Sequence, residues 1–533
     1  MQCSGYGVRL RWSSKHERFY GDRPTSNSSS RDTDALGSDL SGEAISRHVQ
    51  QQPSSSQTLS RSLVDQSTAL IDYWFSHVCR LWSTFDSDVN YKRQLAQIYC
   101  QRSLVVFTAL QTMSASCLAD KSQEARALLP SLESAAGDAI ARRMTALASL
   151  PVIGPQETNM DLMYALLALG TSLHWGRSSR HDGILFSSAR SLMARWESEP
   201  NSIDALHLGF FKQALIYWKM LLLFSTQELG HSGLQECQRF LPETNLSEDS
   251  AEGTFEDLQT RKLWDAPAAS RGTRPNSSCG ISSDVVDLFG QAFTLCRKSH
   301  GRWKFGGQTS NAFQDALRHD SDHAWNIWRE LHALDFESIV QSDIFLGYPL
   351  HTGDDHTPLE HHIYTAEAYR LAGLLQLYLA FSDSRKAADI ERLTSRQVYA
   401  SHRLLGPACV LASEIVHTLE QMPPESGLRY MHLVLYITAA AGLKPCSTLQ
   451  GTVLENSGGA QSVDSTRAQQ SQLILDLRRT LLHRLGQLQR SLPSRPVNAA
   501  LELVKSIWSA YDSGRETSWL DVLEGARIDI LFC

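Results

Sequence analysis

Between His351 and His362 the chain reads HTGDDHTPLEHH, in which His351, Asp354, Asp355, His356, Glu360, His361 and His362 all carry imidazole or carboxylate groups. Zinc and iron take such ligands, so a metal-dependent enzyme is one reading of the stretch. The competing reading is local. Gly353 and Pro358 mark a loop that leads into a helix, and acidic residues just ahead of a helix are favourable as caps and against its dipole. The loop and cap is the reading taken here, with the metal-dependent enzyme as its alternative.

Other chemical signatures are absent from the sequence: it has no P-loop, no G-x-G-x-x-G, no G-x-S-x-G elbow, no H-E-x-x-H and no kinase motif set. Ten cysteines are scattered without a C-x-x-C pair, a pattern that suits a reducing compartment. The aromatic pairs Trp325 with Trp328, Phe210 with Phe211 and Tyr217 with Trp218 could line a pocket, but their helical spacing reads as core. The run RKSHGRWK, Arg297 to Lys304, reads as a helix C-terminus whose cations meet the dipole, ahead of a nuclear import patch. The acidic stretch from Glu248 to Asp257 reads as a solvated loop ahead of an activation segment.

These residues must be held by helices. The organising stretch is Ile363 to Ser384, where Tyr364, Ala368, Leu371, Leu375 and Tyr378 draw one apolar stripe and Ala372, Leu374 and Leu379 widen it. A helix so apolar needs partners on several sides. Helical periodicity supplies them at 63–82, 91–118, 123–150, 160–175, 184–197, 205–224, 283–300, 322–338, 359–384, 386–401, 406–421, 427–443, 470–490 and 497–511. No stretch alternates with the period of two that a half-buried strand requires, so the expected class is all-α.

The chain has 533 residues, 42% hydrophobic and 20% charged, with a formal charge of -7. That length holds one large domain or several ordinary ones, and the acidic balance excludes the bulk of the chain as a nucleic-acid surface. MQCSGYGVRLRW lacks the apolar core of a secretory signal, and the most apolar run, Leu208 to Phe224, is short and contains Lys212 and Lys219, which read as a wet edge. No membrane contact is expected.

The expected organisation is a small N-terminal fragment at 1–20, a Ser-rich disordered linker at 21–62, and a helical domain at 63–533 with two long polar surface excursions at 227–280 and 445–469. Residues 40–66 lack heptads enough for a coiled coil.

Cys3-Ser4-Gly5-Tyr6 followed by Val8-Arg9-Leu10-Arg11-Trp12 resembles the end of the DNA-binding module of fungal binuclear zinc-cluster transcription factors, where six cysteines hold two zinc ions. The long domain resembles the fungal-specific transcription factor regulatory domain. Its landmarks are Tyr73-Trp74-Phe75, Leu81-Trp82-Ser83 with Asp86, Ala189 to Leu192, Tyr217 to Leu221, Cys279 to Ser282, Ala366 with Tyr369 to Tyr378, PPESGLR at Pro423 to Arg429, Trp508, and Trp519 to Leu523. Ser277-Ser278-Cys279-Gly280 and Phe532-Cys533 stand where relatives often carry Pro-Trp-Thr-Gly and Phe-Gly.

The resemblance implies a nuclear regulator of RNA polymerase II transcription, not an enzyme, that works with the transcription machinery and reads DNA through the cluster, usually as a dimer. It places Cys3 as the last zinc ligand and Arg9 and Arg11 as weak phosphate contacts or connector residues. With Cys3 two residues from Met1, the resemblance implies a module reduced to its last residues, by truncation or by real loss, with no zinc expected in this chain alone. The alternatives are a cluster-less helical partner or scaffold that restrains a full-length relative, and the metal-dependent enzyme. The helical domain's effector, metabolite or protein, is not identified by these residues.

Overall fold

A computed structural model describes residues 66–149, 159–176, 182–198, 203, 205–224, 275–280, 283–305, 311–345, 350–381, 405–445, 460–514 and 517–526. All of them belong to one of the chain's two units, Leu63–Cys533. Cys3, Arg9, Arg11, the fragment 1–20 and the linker 21–62 lie outside the described residues, as do the acidic stretch from Glu248 to Asp257 and the helix expected at 386–401.

Helices carry the fold, and among the described residues there is no β-strand, so the class is all-α; one isolated bridge joins Asn276 to Gly280. The first helical run is α1 (Gln66–Tyr73), a π-helical turn (Trp74–Val78) and α2 (Cys79–Trp82), which together bury Trp74, Val78, Cys79 and Trp82. The side chain of Asn90 then accepts from the backbone N–H of Lys92 at 3.0 Å and starts α3 (Tyr91–Tyr99). α4 (Leu104–Leu118) lies between α5 (Gln123–Ser149) and α6 (Met160–Trp175), and α7 (Asp182–Ser198) and α8 (Ala205–Leu222) continue the series.

Next come α9 (Ser283–Phe305), α10 (Asn311–Ala333), α11 (Phe336–Phe345) and α12 (Leu359–Phe381). Every residue of α12 from Ala368 to Leu377 is buried, because α9, α10, α13 (Pro407–Glu420) and α14 (His432–Gly442) surround it. A helix packed on several sides needs apolar residues beyond a single stripe, which is why its stripe widens as the sequence indicates, with Arg370, paired to Glu367, and Gln376 as buried polar exceptions. α15 (Ala460–Ser491) and α16 (Ser494–Asp512) pack on one another, α17 (Trp519–Gly525) packs on α16, and α16 also returns to α6. One apolar cluster runs from Ile71 to Leu523.

Several expected boundaries move. The helix expected at 322–338 is two helices, α10 and α11, because Asp335 accepts from the Ser338 N–H at 3.1 Å and its hydroxyl at 2.7 Å and so starts a new one. The excursion expected at 445–469 is shorter, since residues 460–469 already belong to α15; QSVDSTRAQQ has no Gly or Pro to stop a helix. The end of the first excursion, Asn276 to Gly280, is a buried turn. The stretch 427–443 opens as a 3-10 turn, Gly427–Met431, ahead of α14. Lys212 and Lys219 are half-buried and paired, with Glu197 at 3.0 Å and Asp287 at 3.9 Å. No helix among the described residues is long and apolar enough to cross a membrane.

Candidate functional site

Four segments far apart in the chain meet at the start of α12. The Thr84 N–H donates to the Ser277 carbonyl at 3.0 Å and its hydroxyl to the Asn276 carbonyl at 2.7 Å. Asp354 accepts from the Asp86 N–H at 3.0 Å, and the Ser87 hydroxyl donates to the Thr352 carbonyl at 2.5 Å. The Thr357 hydroxyl accepts from the Gly427 N–H at 2.9 Å, and the Tyr430 hydroxyl donates to the Ser278 carbonyl at 2.6 Å. Gly427 has a structural reason to be glycine, since a Cβ there would collide with the Thr84 carbonyl. Gly280 and Gly353 sit at φ of 81° and 66°, a region open to glycine.

Helix α3 locks the same junction from behind. The Arg93 guanidinium grips Asp86 in two bonds, 2.8 Å and 2.6 Å, and also donates to the Phe75 carbonyl at 3.0 Å. Asn90 donates to Asp86 at 3.3 Å. Lys92, buried, donates to the Trp82 carbonyl and lies 4.1 Å from that indole's centroid. The landmarks Trp82, Asp86, Cys279, Gly280 and the PPESGLR turn therefore belong to one polar junction. Sequence reading missed Thr84, Lys92, Arg93 and Thr357 as its members; Asp86 and Arg93, seven residues apart across the Asn90 cap, were the available signal.

The histidines of HTGDDHTPLEHH do not converge. His351, Asp355, His356 and Glu360 are exposed, and Asp354 is spent on the backbone N–H groups of Asp86 and His356, the latter at 2.9 Å. His361 pairs with the Ser426 hydroxyl at 3.2 Å, and burial holds its pKa below the usual histidine range. His362 lies beside Phe85, both ring nitrogens are buried without a hydrogen-bond partner, and burial followed by the neighbouring His361 pushes its pKa down to about 3. His432 stands 3.3 Å from the Thr365 hydroxyl and is also pushed to about 3, by burial first and then by Arg484, His361 and Arg429. These are neutral core imidazoles.

Among the described residues, the grouping of His, Cys, Asp and Glu atoms that come within 4.8 Å of one another is His300, Asp521 and Glu524. Lys304 already donates to Asp521 at 3.2 Å and to Glu524 at 3.1 Å, so an ammonium supplies the positive charge there. Two arginines of the basic run are engaged as well: Arg297 donates to the Leu223 carbonyl at 2.7 Å and Arg302 pairs with Asp320, while Lys298 is exposed. Trp325 and Trp328 stack on each other at 5.1 Å. Six cysteines among the described residues are free thiols, and burial pushes Cys79, with help from Asp86, and Cys279 up to about 12, which leaves them protonated.

No curated protein and no solved structure matches the chain. The family described as "Fungal specific transcription factor domain" matches residues 69–533. That span takes in the opening helical run, the polar junction and the closing helices, and the landmark residues fall inside it in order. By this match the chain belongs to the fungal specific transcription factor domain family.

Proposed function

We propose that the chain is a nuclear regulator of RNA polymerase II transcription of the zinc-cluster type, in which the helical domain sets activity and a cluster reads DNA. The observation that carries this reading is the family match over 69–533, supported by an all-α core whose described ionisable clusters are engaged in packing and capping rather than gathered into a catalytic set. In it Cys3 is the last thiolate of the cluster, Arg9 and Arg11 add phosphate contacts, the transcription machinery is the partner and the working unit is a dimer. Such a cluster needs six thiolates. The described cysteines do not fit it: Cys296 donates to the Gln376 carbonyl at 3.3 Å and Cys409 to the Gly442 carbonyl at 3.2 Å, deep in the helical core.

The test tethers the whole chain to a separate DNA-binding module upstream of a reporter in a fungal host. A change in reporter output that depends on the helical domain is expected, and output equal to the module alone refutes regulation. Chromatin occupancy of the untethered protein then separates a DNA reader from a restraining partner.

A further inference from the structure

The end of α13, the PPESGLR turn, α14 and α15 close around a small cavity of about 10 Å³, room for one water-sized atom. Its ionisable lining is of one kind. Arg429, Arg484 and His432 line it, Tyr436 and Gln487 add polar groups, and no carboxylate does.

Two guanidiniums so placed are unusual. Arg429 is only 5% exposed and donates through Nη1 to the Glu425 and Ser426 carbonyls at 3.2 Å and 2.8 Å. Arg484 donates to the Glu420 and Met422 carbonyls at 2.9 Å and 3.1 Å and to the Gln487 side chain at 3.2 Å. Those acceptors are neutral, and neither arginine forms an ion pair with a carboxylate among the described residues. The C-terminus of α13 brings only about half a negative charge. Buried charges in native proteins are ordinarily paired, because leaving one uncompensated is costly. Burial, and then Arg80, pushes the Arg429 guanidinium down to about 10, which Asp354 and Glu425 offset only in part.

The donors that remain face the same space. The Arg429 Nε is sealed in the packing, but its Nη2 is not, and it makes no hydrogen bond among the described residues. The Tyr436 hydroxyl likewise has no partner among them and is not sealed, although the residue is only 2% exposed. A guanidinium fork and a hydroxyl suit the oxygens of an oxyanion, and two guanidiniums balance a dianion better than a single carboxylate. The cavity admits one oxygen. The rest of the anion has room outside, where Pro423 is exposed and Pro424 and Gln487 are half-exposed.

We infer that this cavity is an oxyanion site that takes a phosphate group, free or esterified, with one oxygen held among Arg429, Arg484 and Tyr436. The inference goes beyond the regulatory reading, because binding to the purified chain stands whether or not the chain controls a gene.

The test is calorimetric titration of the purified full chain, at constant ionic strength, with inorganic phosphate, phosphoserine, acetate and chloride. A phosphate group is expected to bind with one-to-one stoichiometry and about tenfold more tightly than acetate or chloride, the effect of one further charge-assisted hydrogen bond. Whichever of inorganic phosphate and phosphoserine binds more tightly identifies the free ion or the ester as its source. Arg484→Gln is expected to weaken binding at least tenfold. Gln487→Glu keeps both arginines and sets a carboxylate beside them; it is expected to abolish binding, which keeps the test decisive if the Arg484 variant does not fold. The inference is overturned if neither phosphate compound binds the native chain at millimolar concentration, if chloride binds as well as phosphate, or if Gln487→Glu binds phosphate unchanged.

Discussion

The backbone of Gly427 lies directly against the carbonyl of Thr84, with no room for a Cβ between them, and this contact joins the turn before α14 to the loop after α2. Backbone cannot yield as a flexible side chain does. Gly427→Ala is therefore expected to destabilise the domain by about 2 to 3 kcal/mol, read from the urea midpoint. Gly137, inside α5 with open space around its Cβ position, is the control: Gly137→Ala is expected to stabilise by about 0.5 to 1 kcal/mol. Equal effects at the two sites would mean that the Thr84 contact carries no weight.

Acid sensitivity follows from His362 and His432. Burial holds both pKa values near 3 in the folded chain against about 6.5 for an unperturbed histidine, so the unfolded chain binds more protons between those limits. Their stability contribution is complete above pH 6.5 and is lost as pH falls toward 3. Each is expected to cost roughly 1.4 kcal/mol per pH unit within that window. Thermal melts from pH 7 to pH 5 should show the slope, and His432→Gln should reduce it; a flat profile would show these imidazoles are not buried neutral.

The Asp86 and Arg93 pair is partly buried, at 15% and 22% side-chain exposure, and geometrically bidentate. A double-mutant cycle of Asp86→Asn and Arg93→Met is expected to give a coupling energy of about 1 kcal/mol or somewhat more, above the usual surface pair. Additive losses would reduce the pair to two independent contributions.

The histidine stretch is expected not to hold metal. Elemental analysis of the purified chain should return the same metal content for His361→Ala and His362→Ala as for the native protein, because His361 is paired with Ser426 and the His362 ring is buried beside Phe85. Stoichiometric zinc that disappears with either substitution would restore the metal-site reading.

The helices were legible because burial imposes period: Ala368, Leu371 and Leu375 announce α12 without any knowledge of its neighbours. The junction was not, because its bonds reach across the chain to backbone groups every residue possesses. Thr84 and Asn276 are 192 positions apart, and Asp86 and Asp354 are 268 apart. The split between α10 and α11 was hidden for a similar reason. Leu334 and Phe336 keep the apolar spacing through the break, and only the hydrogen bonds of Asp335 to Ser338 mark the new start. Gln376 shows the opposite limit. Its neighbours are visibly core, but periodicity alone says nothing about whether its amide finds a partner.

The return of α16 to α6 has a consequence for synthesis. Arg495 closes on the Gly176 carbonyl across 319 positions, so the face of α6 that α16 covers is made long before its cover exists. At about 5 to 20 residues per second, that interval lasts tens of seconds on the ribosome. During it the growing chain carries an unsealed apolar surface, which makes the nascent protein a natural client for chaperones and places its point of commitment late, when the closing helices emerge.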